Sequence, residues 1–402
     1  MIKSASAFTL EIDDIDRACR ELKTQIDAKL VLMRNSLGIV QCAPDFIESG
    51  IMEKLFLELG IPLAGGTTVT SATNDMIGIV MFSLLVLTSD DVEFTVSHTQ
   101  GFAGDCKEAI RHSLALAMGK PRKLADAPLR LVLVFPPVID AVAGDCYVEA
   151  VEEACGTVPI FGSLTVDDSL DKFDRSASLI NGAALQGEMA YVLFYGNVTP
   201  RFLMATTPYQ SELADTSAVI TRANGNIAYE INNMRAIDYF ESIGFAKNGI
   251  MNSGAIYVPM LLTLPGETDN IPFVRGVVQT GSEGPDGSVA FKGKMFEGAR
   301  MTFGSNFGID VLAASTEAIN KIAQYKDINA VLIFSCMIRQ LVIGSDSMRE
   351  LTRVKDILKN DVPFIAAYAG GEISPTSVDG NHVAHNRFHN YTFITCLLTA
   401  DN

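Results

Sequence analysis

The residue types that could do chemistry gather in the last third of the chain. Cys336 and Arg339 follow an apolar run, Val331-Leu332-Ile333-Phe334, that reads as a buried strand. An arginine at a strand end could lower a thiol pKa or grip a ligand carboxylate with two parallel hydrogen bonds. No His or Asp stands beside Cys336 in sequence to activate it as a nucleophile, and a free cysteine is most often a small core residue. Glu372 sits between Gly370-Gly371 and Pro375, a constrained backbone that could aim its carboxylate at a ligand ammonium group. His382, His385 and His389 have a spacing that would suit a metal only on a helix. Asp379-Gly380-Asn381 starts a turn and Tyr391–Thr395 reads as strand, and an extended chain sends alternate side chains to opposite faces. His389 and Asn390 are therefore assigned to hydrogen bonds that fix the loop or touch a ligand, and no metal is expected.

Three glycine turns add to this set: Gly65-Gly66-Thr67-Thr68, Gly162-Ser163 and Gly370-Gly371-Glu372. Such turns can present N–H groups and hydroxyls to a carboxylate or phosphate. The plainer reading is that glycine permits the turn. Their position after buried strands favours a ligand, because α/β proteins bind beyond the carboxyl ends of their strands. They carry neither a Walker lysine nor a G-x-G-x-x-G pattern, so no nucleotide cofactor is expected. The candidate ligand-binding set is Gly65, Gly66, Thr67, Thr68, Gly162, Ser163, Cys336, Arg339, Gly371, Glu372, His389 and Asn390. No catalytic residue is assigned. The adjacent acids Asp167-Asp168 read as a cap or a solvated pair.

The elements that must position these residues repeat along the chain. Consecutive apolar residues recur at Leu30–Met33, Leu131–Phe135 and Val331–Phe334. Each run precedes a helical stretch, Phe46–Leu59, Asp145–Ala154 and Met348–Leu358, and then an apolar-proline pair, Ile61-Pro62, Val158-Pro159 and Val362-Pro363. Strand, helix and second strand make a right-handed βαβ unit with parallel strands, and proline fits the start of that second strand. Copies two and three continue into the apolar strands Met189–Tyr195 and Tyr391–Leu398. The pattern breaks between them, where Asn224-Gly225-Asn226 between β-rich runs marks a hairpin of type I′. A short helix, Ala236–Ile243, a turn-rich region and a second helix, Gly308–Ala323, follow. The expected fold is α/β, two domains of layered mixed β-sheets and helices built from a repeated strand-helix-strand unit. A chain of 402 residues exceeds what one core usually supports. Residues 1–205 and 206–402 are the expected domains, divided in the polar stretch Pro200–Ala214.

Composition excludes several partners. With 31 basic against 47 acidic residues the net charge is −16, which repels nucleic acid and anionic lipid. The longest near-continuous apolar stretch, Met76–Leu87, is too short to span a bilayer, and Met1–Ser6 lacks the apolar core of a signal peptide. Membrane insertion is not expected. Seven cysteines, an odd number with no C-x-x-C pair, suit reduced thiols in a cytoplasmic setting.

Several short motifs, in order, resemble the FIST-domain family, with an N-terminal and a C-terminal FIST domain. Ala218–Ile231 with Ala236–Gly244 is similar to the opening of the C-terminal domain, as are Pro272-Phe273-Val274-Arg275-Gly276 and Phe296–Arg300. Ala330–Arg339 resembles its buried strand ending in Cys and Arg, and Gly370–Pro375 and Phe388–Thr392 match its closing motifs. Pro159–Ser163 with Asp167-Asp168 resembles the Gly-rich turn and acidic pair of the N-terminal domain. The first repeat departs from the family pattern: Gly65-Gly66-Thr67-Thr68-Val69-Thr70 replaces Gly-Cys-Ser/Thr followed by Gly-Glu.

The resemblance implies a sensory protein of intracellular signal transduction. It would bind a small molecule, such as an amino acid or related polar metabolite, between its domains. With no output domain recognisable, the signal would pass to a partner protein in trans. A small-molecule hydrolase or acyl-transfer enzyme using Cys336 is the alternative, and a pure interaction protein is a third.

Overall fold

In a computed structural model of the chain, the described residues are 1–102, 105–169, 172–208, 218–266, 271–278, 283–359, 361–378 and 383–399. Three copies of one unit account for most of them. The first runs β1 (Lys3–Thr9), α1 (Ile15–Lys29), β2 (Asn35–Cys42), α2 (Asp45–Glu48), α3 (Ile51–Leu59), β3 (Leu63–Thr67), a hairpin of β4 (Thr70–Thr73) and β5 (Ile77–Gly78), and β6 (Phe82–Ser89). The second runs β7 (Val92–His98), α4 (Cys106–Met118), β8 (Leu129–Phe135), α5 (Asp145–Cys155), β9 (Ile160–Ser163), a hairpin of β10 (Ser178–Ile180) and β11 (Ala183–Leu185), and β12 (Ala190–Gly196). The third opens with β13 (Thr199–Ala205) and is interrupted by an insertion that carries strands β14–β22 and helix α6 (Ala236–Ser242) between Ala218 and Phe303. It resumes with α7 (Gly308–Ile322), β23 (Ile328–Cys336), α8 (Met337–Ile343), α9 (Met348–Leu358), β24 (Phe364–Ala369), a hairpin of β25 (Glu372–Val378) and β26 (Ala384–His389), and β27 (Phe393–Thr399).

Each copy builds a sheet in the same order: first strand, last strand, second, third. The second and third strands pair in parallel in every copy, β2 with β3, β8 with β9 and β23 with β24, as a βαβ unit requires. The hairpins do not stay at home. The pair β4–β5 completes the third copy's sheet, β10–β11 the first, and β25–β26 the second, a cyclic exchange that yields three six-stranded mixed sheets. Strands from either side of residue 205 thus share sheets.

The inner faces of all three sheets meet in one core, where Leu37, Leu133, Phe135, Phe161, Leu332 and Phe334 are buried. Phe334 lies edge-on to Phe135 and tilted against Phe161. Helices cover the outer faces, α1 and α3 on the first sheet, α4 and α5 on the second, α7 and α9 on the third. Strands buried on both faces read as unbroken apolar runs, which is why Leu131–Phe135 and Val331–Phe334 were legible. The insertion holds a core of its own around Phe240, Met260 and Phe291.

Three expectations need correction. Leu30–Met33 is not a strand: Leu30 caps α1, Val31 is 84% exposed, and the strand of the first copy is β2, whose Ser36, Gly38 and Gln41 break the apolar run. The helix expected over Phe46–Leu59 is split into α2 and α3 at Gly50, whose φ of 81° a helix interior does not accept. The hairpin after Asn224 forms, but only Gly225 of its loop has positive φ, so the turn is not type I′. Part of the expected boundary stretch, residues 209–214, lies outside the described residues, as does the turn over 379–381 with His382.

Candidate functional site

A pocket of about 70 Å³ opens where β9, β23 and the β24–β25 turn leave their sheets, at the carboxyl ends of parallel strands. Leu164 and Val166 line one side, Cys336, Met337 and Ile338 another, and Gly370, Gly371, Phe388, Asn390 and Tyr391 the floor. The insertion closes it from above with Ile256, Gly276, Val277 and Lys292. Among the described lining residues Lys292 alone is charged; its ammonium lies 2.9 Å from Asp140, whose side chain is exposed.

Backbone exchange builds the floor. Gly370 N–H donates to Leu164 O at 2.8 Å, and Leu164 N–H donates to Gly371 O at 3.0 Å, joining the second and third copies. A Cβ on Gly371 would stand 2.3 Å from the Phe388 ring, so glycine is required there for contact rather than for an anion nest. Tyr391 has a φ of 58°, a left-handed conformation that is costly for a bulky residue and that concentrates at functional sites.

Behind the floor lies a buried polar layer. Glu372 and His389 are direct partners across β25 and β26, so their side chains share one face of the sheet. Glu372 is fully buried; one carboxyl oxygen accepts from the Thr392 N–H at 3.1 Å and the Thr392 hydroxyl at 2.7 Å, while the other has no partner among the described residues. Burial pushes the Glu372 carboxyl well above the usual carboxylate range, against the pull of Thr392 and Arg339. Burial and then the nearby Glu372 push the Cys336 thiol up as well, which keeps it protonated at neutral pH. His389 Nδ1 accepts from Val274 N–H at 3.5 Å and its Nε2 has no partner among the described residues. Burial, then the charges of Arg275 and Arg387, hold its imidazole well below its ordinary pKa and so neutral.

A raised carboxyl pKa carries a sign. The folded chain keeps the Glu372 proton where the unfolded chain has lost it, so this group costs stability progressively as pH rises above the unfolded value of 4.5. Glu372→Gln should therefore unfold at a higher urea concentration than the parent at pH 8 and match it near pH 4. The divergence can reach about 1.4 kcal/mol per pH unit within that window. Parallel pH profiles of the two proteins would show instead that Glu372 is ionised in the fold.

Of the twelve sequence candidates, Cys336, Gly371 and Asn390 line the pocket, and Glu372, His389 and Arg339 lie buried near it. Asn390 fixes the roof, its Oδ1 accepting from Gly276 N–H at 3.2 Å. Arg339 is fully buried; its guanidinium pairs with Glu350 at 2.8 Å and donates to Tyr391 O and Val311 O. The other six do not line the pocket, and they do not form the expected turns: Gly65, Gly66 and Thr67 lie within β3, Gly162 and Ser163 within β9, and Thr68 directly follows β3. Gly65 and Gly162 occupy equivalent places: a Cβ on either would stand 1.9 Å from the carbonyl oxygen of the parallel neighbour, Val40 or Val134. Gly66 packs on Thr165. The Thr67 hydroxyl accepts from Ala177 N–H, the Thr68 hydroxyl donates to Tyr368 O, and Ser163 is buried opposite Glu372 in the ladder. Asp167 caps its own loop, accepting from Ser169 and Arg175 N–H, and Asp168 is exposed. Sequence reasoning missed Lys292, Val277, Ile256 and Tyr391, although Phe273–Gly276 beside the roof was already legible as a motif.

A family model for the FIST N domain matches residues 36–234, and one for the FIST C domain matches residues 238–375. FIST domains are associated with small-ligand sensing in signalling. No curated protein matches the chain. Among solved structures it is similar to cyanuric acid hydrolase from A. caulinodans, at 9% identity over 100% of both chains with a TM-score of 0.38. It is also similar to a chorismatase, at 11% identity over 90% of this chain and 92% of that one with a TM-score of 0.34. Among the described residues no helix is long and apolar enough to cross a membrane.

Proposed function

The chain belongs to the FIST family, and from that premise we propose that it is a cytoplasmic sensor whose pocket beneath the insertion binds a small carboxylic acid with an apolar side chain, amino acids included. One observation carries this reading: apolar walls at Leu164, Val166, Val277 and Ile338 surround Lys292, the one charged lining residue among those described, with Asn390 on the floor. A cavity of about 70 Å³ is well below the roughly 300 Å³ of drug-sized pockets and suits a compact ligand. Glu372 is buried and does not line the pocket, so the head group is assigned to Lys292 and Asn390. The insertion, held to the floor through Asn390 and Gly276, tightens on the ligand and alters the surface offered to a signalling partner acting in trans.

The test is calorimetry and thermal shift with short aliphatic amino acids and 2-oxo acids, each beside its uncharged amide. The acids should raise the melting temperature saturably and the amides should not. Lys292→Met should weaken acid binding by about 10- to 100-fold, the value of a charge-assisted hydrogen bond. Equal binding of acid and amide, or an unaltered affinity in Lys292→Met, would sink the assignment.

A further inference from the structure

Away from the pocket, two cysteines face each other at the start of adjacent helices. Cys106 is the first residue of α4 and Cys146 the second of α5. The helices run side by side in the same direction, tied by Lys107 to Glu149 at 2.6 Å, Lys107 to Glu153 at 3.4 Å and Arg111 to Glu153 at 2.9 Å. That alignment sets Cys106 and Cys146 beside one another across the helix pair, close enough for each thiol to influence the other's ionisation. Cys106 is buried and Cys146 half-buried. Two ammonium groups lie close to Cys146, those of Lys294 and Lys107, with Glu149 between them as their shared partner. Backbone N–H groups of a helix's first turn add further positive potential.

We propose that Cys146 is a hydroperoxide-reactive thiol and that Cys106 is its resolving partner, making this helix pair an oxidant-modified site. Two half-buried cysteines on α5 supply the contrast. The Cys106 contact and then Lys294 bring the Cys146 thiol down to about 7, whereas burial alone pushes Cys155 up to about 12. The thiolate is the nucleophile, so the two should differ sharply at neutral pH.

The chemistry balances with a hydroperoxide as oxidant. The Cys146 sulfur attacks the terminal peroxide oxygen; an S–O bond forms, the O–O bond breaks, and an alcohol (or water, from hydrogen peroxide) leaves with the thiol proton. The Cys106 sulfur then attacks the Cys146 sulfenic acid; an S–S bond forms, the S–O bond breaks, and hydroxide departs as water with the Cys106 proton. Two thiols are oxidised by two electrons in total and one peroxide is reduced.

Competitive labelling of the full chain with iodoacetamide at pH 7, read by peptide mass spectrometry, should modify Cys146 at least about tenfold faster than Cys155. Hydrogen peroxide should then give a cross-linked peptide joining Cys106 and Cys146, reversed by a dithiol. In Cys106→Ser the same treatment should leave a dimedone-trappable sulfenic acid at Cys146. Equal labelling of Cys146 and Cys155 overturns the proposal, as does oxidation of the parent protein that proceeds to sulfinic acid at Cys146 with no bridge to Cys106. The first readout uses the unaltered protein, so a folding defect in the variant cannot mask the answer.

Discussion

Asp145→Ala should destabilise the folded chain by about 3–5 kcal/mol, measured as the change in urea-unfolding free energy followed by near-ultraviolet circular dichroism. Asp145 receives the Arg275 guanidinium at 2.7 Å and the Lys294 N–H at 2.7 Å, joining α5 of the second copy to the insertion. Arg275 is fully buried, donates to Lys294 O at 2.8 Å and Phe388 O at 2.9 Å, and lies over the rings of Phe273, Phe296 and Phe388. Burial opposes charge on both partners, raising the Asp145 carboxyl and lowering the Arg275 guanidinium, while each offsets the other's cost. Removing the carboxylate leaves a cation with no counter-charge in an aromatic cage, the most costly way to break such a pair. Asp145→Ala combined with Arg275→Met should recover most of the loss. A single variant within about 1 kcal/mol of the parent would mean that water reaches the guanidinium, as at an exposed pair.

That ion pair belongs to a fold whose units were legible and whose assembly was not. Met348–Leu358 emerges as α9 with the expected ends because Leu351, Val354 and Leu358 recur on one buried face. The runs in β8 and β23 were visible because both faces of those strands are covered. The first copy deceived: Leu30–Met33 is apolar, yet it is the exit from α1, while β2 hides behind Ser36, Gly38 and Gln41. Nothing local to a hairpin such as Thr70–Gly78 says which sheet it will join. Its partner, β24, lies almost 300 residues away in sequence and is chosen by the cyclic packing of three sheets.

The pocket was legible in the same partial way. Cys336 was found because it closes an apolar run, Gly371 because it belongs to a glycine pair and Asn390 because it stands beside His389 before an apolar run. In the fold they lie at the end of β23, just before β25 and just after β26, where the pocket opens. The glycines of the first two copies looked equivalent to Gly371, but Gly65 and Gly162 are small so that parallel strands can close on Val40 O and Val134 O. Close approach and ligand contact leave one signature in sequence, and only the neighbouring atoms tell them apart. Lys292 gave no signal, because a single lysine in a turn-rich insertion resembles any surface lysine until the insertion folds over the floor.

Glu350→Ala should cost a similar 3–5 kcal/mol, and it should also impair the pocket. Glu350 and Arg339 are both fully buried and meet at 2.8 Å, with the Ser335 hydroxyl donating to the other Glu350 oxygen at 2.6 Å. Although burial works against it, Arg339 and Ser335 hold the Glu350 carboxyl below its ordinary value. A depressed carboxyl pKa stabilises the fold above the unfolded value of 4.5, and that contribution is lost as pH falls through the lower folded value. The parent should thus lose stability in acid more steeply than Glu350→Gln, which has no proton to take up there. The link to the pocket runs through Arg339, which donates to Tyr391 O at 3.1 Å and so holds the strained residue that lines the floor. Without Glu350 the guanidinium must seek another partner or water, and the hold on Tyr391 loosens with it. The expected signature is a loss of ligand affinity in Glu350→Ala at temperatures where far-ultraviolet circular dichroism still reports a folded chain. Affinity that survives intact in the folded variant would separate the Arg339 network from the pocket and leave its role purely one of stability.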